Sequence, residues 1–203
     1  MIRFSYINDQ VLKLYTRLPQ IKFPLNLSEV VKLIPNCRVM TYQHFAEVSG
    51  STIDEVIENC ESEFGCTHHD VLKRRFLIMY NASTEGNNNL GRQRWTVAHE
   101  LGHVVCQHMS FVAYEKLCSE RFPMPYCSPD YEAEADYFAA TLLAPFPYID
   151  YLGLRSAEEI QEVFGLSVSA SLYAYKKYLK WKQEHFKKAW ENDMIRIYEK
   201  KHT

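Results

Sequence analysis

Between residues 1 and 20 the apolar side chains Ile7, Val11, Leu14, Tyr15 and Leu18 recur every three or four positions. That is the period of a helix with one buried stripe. Phe23-Pro24-Leu25 breaks it, and Asn26-Leu27-Ser28-Glu29 reads as the cap and first turn of a short helix ending near Pro35-Asn36. Arg38 to Tyr42 suits a strand, and His44 to Val48 a helical turn. Ser51 or Thr52 can cap a helix through Ile53, Val56 and Ile57 to Cys60. Glu61 to Asp70 reads as loop or turn, with His68 and His69 an exposed pair. Arg74-Arg75-Phe76-Leu77-Ile78-Met79-Tyr80 is the strongest strand signal, an apolar run of strand length stopped by Asn81. A polar loop over 82–91 then leads into the most apolar helical stretch, from Val97 to Cys106.

Beyond that stretch come Phe111 to Leu117 and a Pro-rich loop from Phe122 to Pro129. Asp130 is placed to cap a helix from Tyr131 to Ala144, stopped by Pro145. Ser156 caps another over Ile160, Val163 and Phe164. After the Gly165-Leu166-Ser167 turn, a long helix is expected from Val168 to Trp190, with Leu172, Tyr175, Leu179, Phe186 and Trp190 on its buried stripe. The mixture is α+β, and 203 residues suit one domain. It divides into an N-terminal helical lobe (1–70), a middle core (71–152) and a C-terminal helical segment (153–203).

Charge narrows the partners. A net charge of −2 gives no global reason to expect a nucleic acid or an anionic membrane. No apolar run approaches the ~18 residues of a membrane span, and the first ten residues are too polar for a signal peptide, so a cytoplasmic protein is expected. The six cysteines form no C-x-x-C pair. In such a compartment they are expected to be reduced, partly buried hydrophobes rather than disulfides.

From Val97 to Cys106 the polar side chains are His99, Glu100 and His103 alone. Burying these without partners costs roughly 1–3 kcal/mol per group. One divalent metal removes that cost. His99 and His103 stand four residues apart, hence on one face of a helix, where both imidazoles reach one Zn²⁺. Glu100 is rotated by about 100° from His99 and flanks such a metal, where a base for an activated water belongs. This is the His-Glu-x-x-His pattern of zinc hydrolases. A histidine six residues after the second ligand, as longer versions have, is absent: that position is Met109.

The next helix carries Glu132 and Asp136, again four apart. Glu132 shares its face with the small residues Ala135 and Ala139, which allow close approach to the first helix, whereas Glu134 points about 200° away. Glu132 is therefore the expected third ligand, and Asp136 the acceptor that holds a ligand histidine's other N–H.

Two stretches, Arg92-Gln-Arg-Trp-Thr-Val-Ala-His-Glu-Leu-Gly-His103 and Glu132-Ala-Glu-Ala-Asp-Tyr-Phe-Ala-Ala-Thr-Leu-Leu-Ala-Pro145, resemble the ImmA/IrrE family of metallo-endopeptidases. The strand ending Met79-Tyr80-Asn81 looks like that family's lead-in. The resemblance covers about residues 74–145. It implies a zincin-like core, a small sheet packed on the His-Glu-x-x-His helix, and hydrolysis of peptide bonds. It carries the zinc ligands onto His99, His103 and Glu132 and the acid/base onto Glu100. Asp136 stands where many relatives have Asn. It further implies a protein substrate, a helix-turn-helix repressor of a mobile element or stress response.

In the expected mechanism, zinc acidifies a water, and Glu100 takes its proton and returns it to the leaving amine. Tyr126, Tyr131, His108 and the pair Arg92/Arg94 are all candidates to stabilise the oxyanion. Two competing classes are a metal-binding scaffold without peptidase activity and a DNA-binding module. For the second, residues 156–180 resemble a helix-turn-helix. However, Glu158, Glu159 and Glu162 oppose phosphate contacts, and the helix opening at Val168 has no Arg or Lys in its first turns. Direct DNA binding is thus not expected.

Overall fold

The computed structural model describes residues 1–83, 89–109, 128–183 and 188–202. The segment Phe111 to Leu117, most of the Pro-rich loop and Phe186 lie outside the described residues. In chain order the elements are α1 (Phe4–Arg17), α2 (Leu27–Lys32), β1 (Cys37–Thr41), α3 (Tyr42–Ser49), α4 (Ile53–Cys60), β2 (Gly65–Asp70) and β3 (Arg75–Tyr80). These are followed by α5 (Leu90–Val105), α6 (Pro129–Leu143), α7 (Phe146–Tyr151), α8 (Ala157–Phe164), α9 (Val168–Gln183) and α10 (Ala189–Lys201).

The three strands form one sheet in the order β1-β3-β2, a small sheet in an α+β fold. β1 runs parallel to β3, with Cys37 opposite Phe76 and Thr41 opposite Tyr80. β2 runs antiparallel to it, from Gly65 opposite Tyr80 to Asp70 opposite Arg75. The apolar run of β3 is explained by this central place: successive side chains point to opposite faces, and both faces are covered. Ile78 packs into the main core with α1, α2, α5 and α6, while Met79 joins Tyr42, Ala46 and Val56 under α3 and α4.

β2 corrects the expectation of a loop over Glu61 to Asp70. Its side chains Cys66, Thr67, His68 and His69 carry no apolar alternation, so the strand depends on pairing with β3 rather than on its own pattern. His68 and His69 therefore project from opposite faces of a strand, and His69 stacks on Phe76 with ring centroids 4.3 Å apart. The residues 1–70 supply two of the three strands as well as four helices. The cysteine expectation is also corrected: Cys60 at the end of α4 and Cys66 in β2 are joined in a disulfide, their Cα atoms 5.8 Å apart. The turn between the two elements brings them together. Cys37 and Cys106 are free and buried, as expected.

α1 buries the expected stripe, and the Tyr15 hydroxyl donates to the carbonyl of Leu142 on α6 at 2.7 Å. The cap of α6 is Ser128 with Pro129 in the first turn, two residues before the expected Asp130. The C-terminal helix differs more. α9 is described as far as Gln183, and a separate helix opens after the extended Lys188, so no single helix runs on to Trp190. Tyr175 and Trp190 pack against the core as expected, but the fully buried positions of α9 are Ser171 and Tyr178, one residue before Leu172 and Leu179. A one-residue step turns a helix by about 100°. The Tyr178 hydroxyl donates to Asp150 at 2.8 Å, and this polar tether helps fix the face. No helix among the described residues is long and apolar enough to cross a membrane.

Candidate metal centre

α5 and α6 lie against each other at unusually short range. A Cβ on Gly102 would stand 3.0 Å from Ala135 Cα and 3.2 Å from Ala135 O, so only glycine permits this approach. α5 is started by Asn89, whose side chain accepts from the amides of Gly91 and Arg92. With the helices so close, residues four apart on each face one another.

The structure brings His99, His103, Glu132 and Asp136 together. His99 Nε2 lies 3.1 Å from His103 Nε2 and 3.1 Å from Glu132 Oε2, and His103 Nε2 lies 3.6 Å from Glu132 Oε1. The other nitrogen of His99, Nδ1, contacts Asp136 Oδ1 at 2.9 Å. His103 is buried, and Glu132 remains about half exposed. Two imidazole nitrogens and a carboxylate at these separations fit a zinc ion: tetrahedral ligands with bonds of about 2.0–2.1 Å stand about 3.3–3.4 Å apart. Two imidazole nitrogens aimed at each other and at a carboxylate otherwise make a poor packing choice for a buried helix face.

The electrostatics of the protein without metal follow from the same contacts. Burial would lower His99, but hydrogen bonds to Asp136 and Glu132 and the nearby Glu100 carry it up to about 10. Burial and the neighbouring His99 push His103 down to about 4. A proton on His99 thus stands in for part of the positive charge the carboxylates call for.

Glu100 sits beside this group, facing β2. Burial pushes its carboxyl above the usual range, while the Thr67 hydroxyl and His99 work the other way. The Thr67 hydroxyl lies 2.7 Å from Glu100 Oε2 and 3.2 Å from the Glu100 carbonyl. The contact is possible because β2 lies hard on α5: a Cβ at Gly65 would come within 2.4 Å of the Thr96 side chain. Thr67 was not singled out from sequence, because the strand that carries it was not recognised.

The oxyanion candidates separate. Tyr126 lies outside the described residues. Arg92 lies over the Phe64 ring, 4.6 Å from its centroid, and Arg94 is half-buried beside Tyr15 and the Gly165 turn. Tyr131 stacks on His108 at 4.6 Å, and His108 is buried behind His103. Glu134, which the helix geometry turns away from Glu132, is buried and bonded to His108 and Arg3. This second buried group was missed at the sequence level.

Residues 67–176 match the family model of the IrrE N-terminal-like domain, a family of peptidases. The match spans more than half of the chain, from the edge strand β2 through both site helices into α9. The chain belongs to the IrrE N-terminal-like family. Membership agrees with the resemblance seen in the two helix motifs and points to a metallopeptidase with a divalent metal. No curated protein matches the chain. In this IrrE-like chain the matched stretch contains Thr67, His99, Glu100, His103, Glu132 and Asp136 together.

Proposed function

We propose that this protein is a zinc-dependent endopeptidase and that its substrate is a helix-turn-helix transcriptional repressor. The observation that carries the first part is the convergence of two imidazole nitrogens, from His99 and His103, and the Glu132 carboxylate at 3.1–3.6 Å, with Glu100 alongside. A zinc ion held by these three residues would supply Lewis acidity toward a water and a scissile carbonyl.

The chain's own residues do the rest. Glu100 accepts the proton of the attacking water and donates it to the departing amine. Thr67 holds the Glu100 carboxylate, and Asp136 holds His99 through Nδ1. An extended peptide has a natural place along β2, the edge strand that touches Glu100, where it can add as a further strand. β3 is central in the sheet and offers no edge for such pairing.

The repressor substrate rests on the family resemblance of the two site helices. A cytoplasmic location goes with this reading, since such repressors act there. The test is co-expression with a helix-turn-helix repressor encoded beside the protein. Cleavage of the repressor by the wild-type chain, lost in Glu100→Gln while zinc is retained, supports the reading. A general base contributes typically ~10²–10⁴-fold. Activity of Glu100→Gln above about a tenth of wild type would place the base elsewhere.

A further inference from the structure

Behind His103 stands a second buried group: ligand atoms of Cys106, His108 and Glu134 lie within 4.8 Å of one another. Such a trio could itself hold a metal, but Glu134 is already taken. Arg3 Nε donates to its Oε1 at 2.9 Å and to its Oε2 at 3.0 Å, Arg3 Nη2 to Oε2 at 2.5 Å, and the Arg3 amide to Oε1 at 2.8 Å. The same Nη2 donates to the Cys106 carbonyl at 2.9 Å. A guanidinium forked over the carboxylate puts a fixed positive charge where a second cation would need the negative one. The group is better explained as a hydrogen-bond chain.

The direction of that chain follows from which atoms can donate. Glu134, ionised against Arg3, only accepts, so the 2.9 Å contact is His108 Nε2–H donating to Glu134 Oε2. Neutral His108 then offers a lone pair at Nδ1. The 3.1 Å contact between His108 Nδ1 and His103 Nδ1 is completed by a proton on His103. With its proton at Nδ1, His103 presents a bare Nε2 to His99 and Glu132. Tyr131, stacked on the His108 ring with 13° between planes, holds that ring in its orientation.

We propose that His108, held by Glu134 and Arg3, is a positioning residue that sets the tautomer and ring plane of His103, keeping Nε2 free to bind metal. The inference rests on reading His103 as a zinc ligand, and it goes beyond that reading by assigning a role to three residues outside the site.

The test is a long-range ¹H–¹⁵N correlation spectrum of the imidazoles in the metal-free full chain. His103 is expected as the Nδ1–H tautomer. A proton on Nε2 would overturn the proposal, and this measurement requires no variant. In His108→Phe, which keeps a ring against Tyr131 but accepts no hydrogen bond, the His103 tautomer should become mixed. Zinc affinity by chelator competition should fall about 10–100-fold with one zinc still bound at saturation. Arg3→Met, on a partly exposed side chain, should move both readouts the same way by less, and serves if His108→Phe does not fold. An unchanged tautomer and affinity in the folded variants would overturn the proposal. So would a second zinc equivalent in the wild type that His108→Phe removes. If the wild-type chain binds no zinc, the metal reading fails alone, and the tautomer of His103 still decides the hydrogen-bond chain.

Discussion

His99 and His103 face each other through their Nε2 atoms at 3.1 Å, on one side of a helix whose other buried positions are, apart from Thr96, apolar or glycine. One turn of α5 thereby joins two imidazoles and a carboxylate in a group that could hold a metal ion. The rest of the fold can be read as the means of holding that turn against α6 and β2.

The Thr67 contact predicts a loss of rate without loss of metal. Thr67→Val keeps the shape of the side chain but removes the hydroxyl that meets Glu100 at 2.7 Å. A hydrogen bond to a charged group contributes about 1.5–3 kcal/mol, so kcat should fall by roughly 10–100-fold. Zinc content and melting temperature should stay close to wild type. Steady-state kinetics on a cleavable peptide check this, and an unchanged kcat would remove Thr67 from the account.

Gly102 predicts an inverted response to a helix-stabilising substitution. Ala in place of Gly inside a helix ordinarily adds about 1 kcal/mol. Here the new Cβ would meet backbone atoms of Ala135 at 3.0–3.2 Å. Overpacking costs about 1–3 kcal/mol. Separating α5 from α6 also draws Glu132 away from the histidines. Gly102→Ala should lower the melting temperature and weaken zinc binding; a rise in both would mean the helices are not in close contact.

Much of this arrangement was legible in the sequence because helices announce themselves locally. The spacing of His99 and His103, and of Glu132 and Asp136, requires only a 3.6-residue turn, and the small residues between them signal close packing. β3 was legible from its apolar run. β2 was not, because its side chains carry no alternation and its pairing partner makes it a strand. The chain from His103 through His108 and Glu134 to Arg3 joins the middle of the sequence to its first residues, and no spacing rule connects them. The face of α9 was misplaced by one residue because Ser171 and Tyr178 are buried at polar positions, while Leu172 and Leu179 are exposed.

The two free cysteines among the described residues, Cys37 and Cys106, should be inert in the folded protein. Burial pushes the Cys37 thiol up to about 11, and burial, aided by Glu134, pushes Cys106 to about 12. The thiolate is the reactive form, so at pH 8 both remain overwhelmingly protonated as well as covered. Iodoacetamide followed by peptide mass spectrometry should find neither alkylated in the native chain and both alkylated in denaturant. Rapid native labelling of either would show that its site opens.

The zinc content of the purified full chain tests the central claim most directly. The account predicts about one zinc per chain in the wild type, as a site with three protein ligands implies. It predicts the same in Glu100→Gln, little or none in Glu132→Ala, and an affinity lowered by about 10–100-fold in Asp136→Ala. A folded wild-type chain without zinc would contradict it. So would a Glu132→Ala chain that keeps its zinc beside a Glu134→Ala chain that has lost it.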